Sequence, residues 1–221
     1  SPKSYDLSYK EYLYSLYKLE AAKYWKGRQL DPTEKPDPSL NGAFSFLKHS
    51  VTLDSKGHVV PFSPKGETGI SGRGLLGAYG ANHAADPVIS CNFEGSRYVL
   101  LIQRSDTGDW AIPGGMLDPS DDKPHNRGIY AQAIEAATRE GNEETGITQD
   151  MLKSAKKIPV GRFYVDDPRN TNTSWMETTV VTFDLGEIPH KPKVIGQDDA
   201  VDAKWFKVAD GKAVDEHDNP V

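Results

Sequence analysis

The chain has 221 residues, a formal net charge of −6 at pH 7, 37% hydrophobic residues, ten Tyr and four Trp. This is enough apolar material for one generous domain, or one domain with an N-terminal extension. The acidic balance excludes a general nucleic-acid binder, because no basic excess exists to neutralise phosphates.

The single Cys91 rules out an intramolecular disulfide and suits a reducing compartment, with cytoplasm and mitochondrial matrix both open. No uninterrupted apolar run approaches the roughly 20 residues of a bilayer span, so no membrane contact by this chain itself is expected. The start at Ser1 without a signal-peptide pattern fits a processed or trimmed product.

In chain order, residues 8–26 predict a helix. Ser8 caps it with Glu11 as capping-box partner, and Tyr9, Tyr12, Leu13, Leu16 and Tyr24 follow the spacing of one face. That aromatic stripe reads as a packing face rather than a ligand platform. Residues 31–38 hold three prolines and read as an extended connector.

Residues 71–87, S-G-R-G-L-L-G-A-Y-G-A-N-H-A-A-D-P, follow Gly66 and Gly69 and read as a loop. Five glycines between 66 and 77 disfavour regular structure and suit tight turns or close approach to a ligand. Arg73 has the fork that pairs with phosphate, and His83 and Asp86 can hydrogen-bond a sugar or base. A plain surface loop is the competing reading.

Strands are predicted at 87–90, 98–104 and 110–113, with D-T-G-D (106–109) as a turn between the last two. A Gly114–Gly115 turn, a polar loop and an alanine-rich helix carrying Arg139, Glu140, Glu143 and Glu144 come next. On a helix the three glutamates, three and four residues apart, can face one point. Such a cluster is either a solvated acidic helix end or a site for an oxygen-seeking divalent cation such as Mg²⁺. A divalent ion bridging two phosphates there would suit hydrolysis of a phosphoanhydride.

Further strands are predicted at 158–165, 178–185 and 203–208, with a polar loop, D-D-P-R-N-T-N-T-S-W-M-E, at 166–177 and an acidic loop at 196–202. The tail after Val208 reads as polar and frayed. Strands around one central helix predict a mixed α/β arrangement. Neither a P-loop nor a G-x-G-x-x-G opening a helix occurs, and the six His lack zinc-site spacing. Cys91 has no His pairing in sequence and reads as structural.

R-E-G-N-E-E-T-G-I (139–147), with the preceding Gly-Gly turn, resembles the Nudix box, G-x5-E-x7-R-E-U-x-E-E-x-G-U with U aliphatic. Four separated segments resemble, more narrowly, the Nudix-type mitochondrial ADP-ribose pyrophosphatases and the homologous C-terminal domain of melastatin-type TRP channels. They are G-R-G-L-L-G with N-H-A-A-D-P, W-A-I-P-G-G-M-L-D-P, Y-V-D-D-P-R-N-T with W-M-E-T, and D-D-A with K-W.

The resemblance implies a Nudix α/β/α sandwich with a mixed sheet at 66–221, and a smaller N-terminal helical and extended cap at 1–65. It implies hydrolysis of ADP-ribose, a small-molecule substrate, to AMP and ribose 5-phosphate with Mg²⁺, or Mn²⁺ in its place. Glu140, Glu143 and Glu144 match the metal-binding and catalytic glutamates, with Arg139 beside them and Gly114 or Gly115 lending backbone to metal or diphosphate. Arg73, His83, Asp86, Asp167 and Arg169 match ligand-binding loops, and Asp198 and Asp199 lie where an extra acid is kept.

Three departures stand inside the box. Its first glutamate is Ala131, leaving Glu135 as the expected partner of Arg139. The loop ahead of the helix is lengthened by S-D-D-K-P-H-N-R-G (120–128), and the aliphatic position is Gly141. No helix is evident after Trp205. An ADP-ribose-binding sensor domain of a larger channel or signalling protein is the alternative, and retention of Arg139, Glu140, Glu143 and Glu144 favours the enzyme.

Overall fold

A computed structural model describes residues 37–42, 45–68, 71–122, 128–167, 169–198 and 200–221. The helix expected over 8–26 lies outside the described residues, as does most of the connector at 31–38. The described residues form two compact units. One combines those up to His83 with Arg162–Thr178; the other combines Ala84–Gly161 with Thr179–Val221.

In the first unit, β1 (Ser50–Leu53) and β2 (Val59–Phe62) form an antiparallel hairpin in which Ser50 faces Phe62. The sequence reading did not mark this pair. Asp54 makes its turn by accepting hydrogen bonds from the N–H groups of Lys56 and His58, both at 2.8 Å. The glycine-rich segment is no plain surface loop, since Leu75, Leu76, Tyr79 and Trp175 are fully buried around it. Thr171 and Thr173 hydroxyls donate to the Gly72 carbonyl at 2.6 and 2.9 Å, and the Thr68 N–H donates to Asn172.

β3 (Gly80–Phe93), β7 (Lys156–Val165) and β8 (Ser174–Glu187) run through both units. The sheet also contains β4 (Ser96–Arg104), β9 (Ala200–Ala209) and β10 (Lys212–Val214), in the order β10-β9-β4-β3-β8-β7. Two short strands pair at its side: β5 (Trp110–Ala111) with β4, and β6 (Gly115–Met116) with β3. The pairs β3–β4, β4–β9, β9–β10, β3–β6 and β4–β5 are antiparallel.

Residues 80–86, expected as loop, are strand. Low strand propensity is overridden where Ala84 and Ala85 pair with Met116 and Gly115. Residues 174–177, also expected as loop, open β8, and Ser174–Glu177 are buried there. The tail is not frayed. Lys212, Ala213 and Val214 pair with Ala209, Val208 and Lys207, and Val214 is buried.

The long helix, α1 (Ile129–Thr145), packs a face of small residues, Ala133, Ala136, Ala137 and Gly141, into the second unit. They meet Ile89, Leu100, Ile102, Val181 and Phe183 in one core. Burying each of the large side chains contributes roughly 1.5–3 kcal/mol. Gly146 ends the helix in the left-handed conformation, φ 76°, and its N–H returns to the Asn142 carbonyl. A short α2 (Gln149–Ser154), capped by the Thr148 hydroxyl, follows and had no clear sequence mark. After Trp205 the chain continues as strand to Ala209.

Candidate active site

The helix positions the acidic cluster unevenly. Glu144 falls on its packed face and is 6% exposed, and the Gly114 N–H donates to its Oε2 at 3.2 Å. Glu140, one turn earlier, faces the same Gly-Gly turn, whereas Glu143 is exposed. A Cβ on Gly115 would overlap the Glu140 carboxylate, and a Cβ on Gly114 would overlap Oδ1 of Asp86. The two glycines thus let backbone lie directly against two carboxylates. β6 holds that turn in place by pairing with β3.

Arg139 is the local counter-charge. Its Nη1 donates to Glu140 Oε1 at 2.8 Å, while Nη2 donates to Asp121 Oδ2 at 3.0 Å and the Met116 carbonyl at 3.3 Å. The expected partner, Glu135, is not among these. Asp121, from the 3₁₀ turn Pro119–Asp122 at the head of the lengthened loop, takes the position instead. Counting back from Arg139 missed it because the inserted residues lie between the two; counting forward from Gly115, the G-x5-E spacing of the box falls on Asp121.

Burial pushes the Glu140 carboxyl above its usual range, and Arg139 pulls it back. Glu143 and Asp198 push it up again, so three carboxylates share one electrostatic neighbourhood. Burial lowers the Arg139 guanidinium, but its bonds to Asp121 and Glu140 outweigh that and hold it above its ordinary value.

The second unit therefore brings together Arg139, Glu140, Glu144, Gly114, Gly115 and Asp86, with Glu143 and Asp198 close enough to act on Glu140. Asp199 lies outside the described residues. Among the described residues, no three His, Cys, Asp or Glu side chains converge closely enough as placed to hold a metal ion. The donors are all hard oxygens in a negative field, which is the chemistry of a Mg²⁺ or Mn²⁺ site and not of zinc.

In the first unit, Arg169 forks onto Asp167, with Nε to Oδ1 and Nη2 to Oδ2 both at 2.9 Å. The two residues expected to touch ligand thus brace each other. Arg73 donates to the Gly77 carbonyl at 2.8 Å and lies over the Tyr79 ring. His83 is 7% exposed and packs edge-on against Phe46, 5.3 Å between ring centres. Phe46 also carries the Arg162 guanidinium 4.2 Å from its ring centre, a pairing that sequence reading did not find. Tyr79 and Trp175 are fully buried, whereas Phe163 is 48% exposed.

The NUDIX domain signature matches residues 81–221. Nudix hydrolase 6 of Caenorhabditis elegans is 39% identical over 150 residues, covering 67% of this chain and 56% of the relative. Mitochondrial ADP-ribose pyrophosphatase of Rattus norvegicus is 35% identical over 170 residues, covering 68% of this chain and 49% of the relative. A transient receptor potential cation channel subfamily M member-like 2 of Nematostella vectensis is 36% identical over 173 residues, covering 68% of this chain and 11% of the channel. The chain thus spans about half the length of the two enzyme-named relatives. Among the described residues no helix is long and apolar enough to cross a membrane. With this match, the mixed α/β sheet-and-helix core and the Arg139–Glu144 helix set against a Gly-Gly turn, the chain belongs to the NUDIX domain family.

Proposed function

We propose that this chain hydrolyses the diphosphate of ADP-ribose to AMP and ribose 5-phosphate, with Mg²⁺ required and Mn²⁺ able to replace it. Residues 66–221 form the hydrolase domain in this reading and 1–65 an added N-terminal part. The observation that carries it is the set of Glu140 and Glu144 against Gly114–Gly115, with Arg139 bonded to Glu140. Similarity to the rat pyrophosphatase supports the substrate class.

Glu140, Glu144, Glu143 and the Gly115 carbonyl would hold the ion, with Glu143 turning in from its exposed position. A bound divalent ion would neutralise diphosphate charge and lower the pKa of a coordinated water. The chain's own residues do the positioning. Arg139 fixes Glu140, the Gly114 N–H fixes Glu144, and the missing Cβ atoms let the turn lie directly against the Glu140 and Asp86 carboxylates.

A second reading, an ADP-ribose-binding domain of a larger channel or signalling protein, is favoured by the Nematostella channel, of which this chain spans 11%. Incubation with ADP-ribose and Mg²⁺, followed by nucleotide chromatography, separates the two. AMP should accumulate, and Glu140→Gln or Glu144→Gln should slow it at least about 10²-fold by removing charge from the metal site. ADP-ribose binding without AMP release promotes the sensor reading and ends the hydrolase one.

A further inference from the structure

The β1–β2 hairpin leaves one apolar face bare, and the described chain begins beside it. We propose that the segment 8–26, read from sequence as an amphipathic helix, lays its apolar stripe across that face. The inference stands apart from the hydrolase reading above.

β1 and β2 form a two-stranded sheet of four residues each. A lone hairpin of this size is marginal in water and needs packing against a further element. The register sets Leu53 opposite Val59 and Val51 opposite Pro61, so these four share one face. The reverse face is anchored through buried Val60. On the shared face Pro61 is buried, with Gly80 against its ring, where a Cβ would stand 3.4 Å from Pro61 Cγ. Val51, Leu53 and Val59 remain 53%, 67% and 49% exposed. Apolar side chains grouped in this way mark a docking surface, as singly scattered ones do not.

Where the chain enters selects the occupant. The described residues begin at Asp37, and Pro38–Leu40 form a 3₁₀ turn. Asn41 then donates its side-chain amide to the Val59 carbonyl at 3.4 Å, and the Gly42 N–H donates to the Tyr79 carbonyl at 2.7 Å. Residues 1–36 therefore join the hairpin on the Val59 side of the bare face. Ten residues, 27–36, reach up to about 35 Å when extended. Each hairpin strand is only about 13 Å long, so 8–26 reaches the whole face. As a helix it would measure about 28 Å, enough to cross it. Its stripe of Tyr9, Tyr12, Leu13, Leu16 and Tyr24 needs a packed partner, because tertiary contact supplies most of the stability of a helix this short. The tyrosines suit a rim position, with rings on Val51, Leu53 and Val59 and hydroxyls in water.

Hydrogen–deuterium exchange on the full 221-residue chain tests this, with sedimentation velocity beside it. Amides of 8–26 should be protected in wild type. Leu53→Glu should speed their exchange about 10- to 100-fold, the equivalent of exposing one large apolar side chain. Leu16→Glu should speed exchange of the hairpin amides about 10-fold, and it keeps the test open should Leu53→Glu fail to fold. Lys18→Glu, on the opposite side of the predicted helix, should leave both segments within about 2-fold of wild type. Rapid exchange over 8–26 in wild type overturns the proposal, as does protection there that Leu53→Glu leaves unchanged. Protection that appears only as the protein dimerises assigns the face to a second copy, and overturns it too.

Discussion

Neighbouring glycines in the turn should respond in opposite ways to the same added methyl. A Cβ on Gly115 would overlap Cδ and Oε1 of Glu140 and stand 2.9 Å from Oε2. Restoring ordinary contact moves the carboxylate back by roughly 1 Å. Glu140 ends a flexible side chain, so it yields before the backbone does, at about 0.5–1.5 kcal/mol of rotamer strain. The displaced group leaves its 2.8 Å bond to Arg139. A 1 Å misplacement in a reacting constellation costs about 10²-fold in rate. Gly115→Ala should thus cut kcat for AMP release about 10²-fold while barely moving the urea midpoint. Gly114→Ala meets Asp86 Oδ1 and, 2.9 Å away, the Ala85 carbonyl, which is backbone in β3 and cannot swing aside. Its cost should appear as about 1–3 kcal/mol of unfolding free energy. The paired assay is urea denaturation beside steady-state AMP release. Gly115→Ala with wild-type kcat would refute the placement of Glu140 against the turn, whatever its stability.

Two further outcomes follow from packing. A Cβ on Gly141 would lie 3.2 Å from the Cδ1 atoms of Ile89 and Leu152, the ends of side chains that can give a little. Gly141→Ala gains up to about 1 kcal/mol of helix propensity against that crowding, so its net change should stay within about 1 kcal/mol in urea denaturation. Gly141→Leu, nearer the aliphatic consensus, should lose about 1–3 kcal/mol by overpacking. In the first unit, fully buried Glu177 accepts from the Ser45 hydroxyl at 2.6 Å, the Trp175 indole at 2.7 Å and the Phe46 N–H at 2.9 Å. Glu177→Ala strands these donors and should cost at least about 3 kcal/mol in the same experiment. A loss below about 1 kcal/mol would show that water or a shifted backbone satisfies them.

The residues that speak through local periodicity were legible in sequence. Helix α1, β4 and the core of β8 follow their apolar patterns, and the spacing of Glu140 and Glu144 put both on the Gly-Gly turn. What stayed hidden depends on partners distant in the chain. Residues 80–86 look like a loop by propensity and become strand through partners distant in the chain: β8 lies beside β3 in the sheet, and β6 pairs with Ala84 and Ala85. Val214 looks like tail and is buried because β10 returns along β9. Arg169 looks like a ligand arginine, yet its fork meets Asp167 two residues away, a contact that composition alone does not reveal.

The three departures from the box resolve differently once side chains are in place. Gly141 is a packing exchange: the volume an aliphatic residue would fill on the helix is approached by Ile89 from β3 and Leu152 from α2. Counted forward from Gly115, the G-x5-E spacing of the box falls on Asp121, which meets the Arg139 guanidinium at 3.0 Å, so the inserted residues follow the first acid and shift only the count back from Arg139 to Ala131. A carboxylate on the helix and one on a braced turn serve the same Arg139, but they differ in what they tie together. The helical acid links two turns of one element. Asp121 links the helix to the chain leaving Gly115 and Met116, whose carbonyl Arg139 also grips. Helix, turn and Glu140 are thereby locked through one guanidinium, so disruption of the turn at Asp121 should reach the Glu140 carboxylate before it reaches the core.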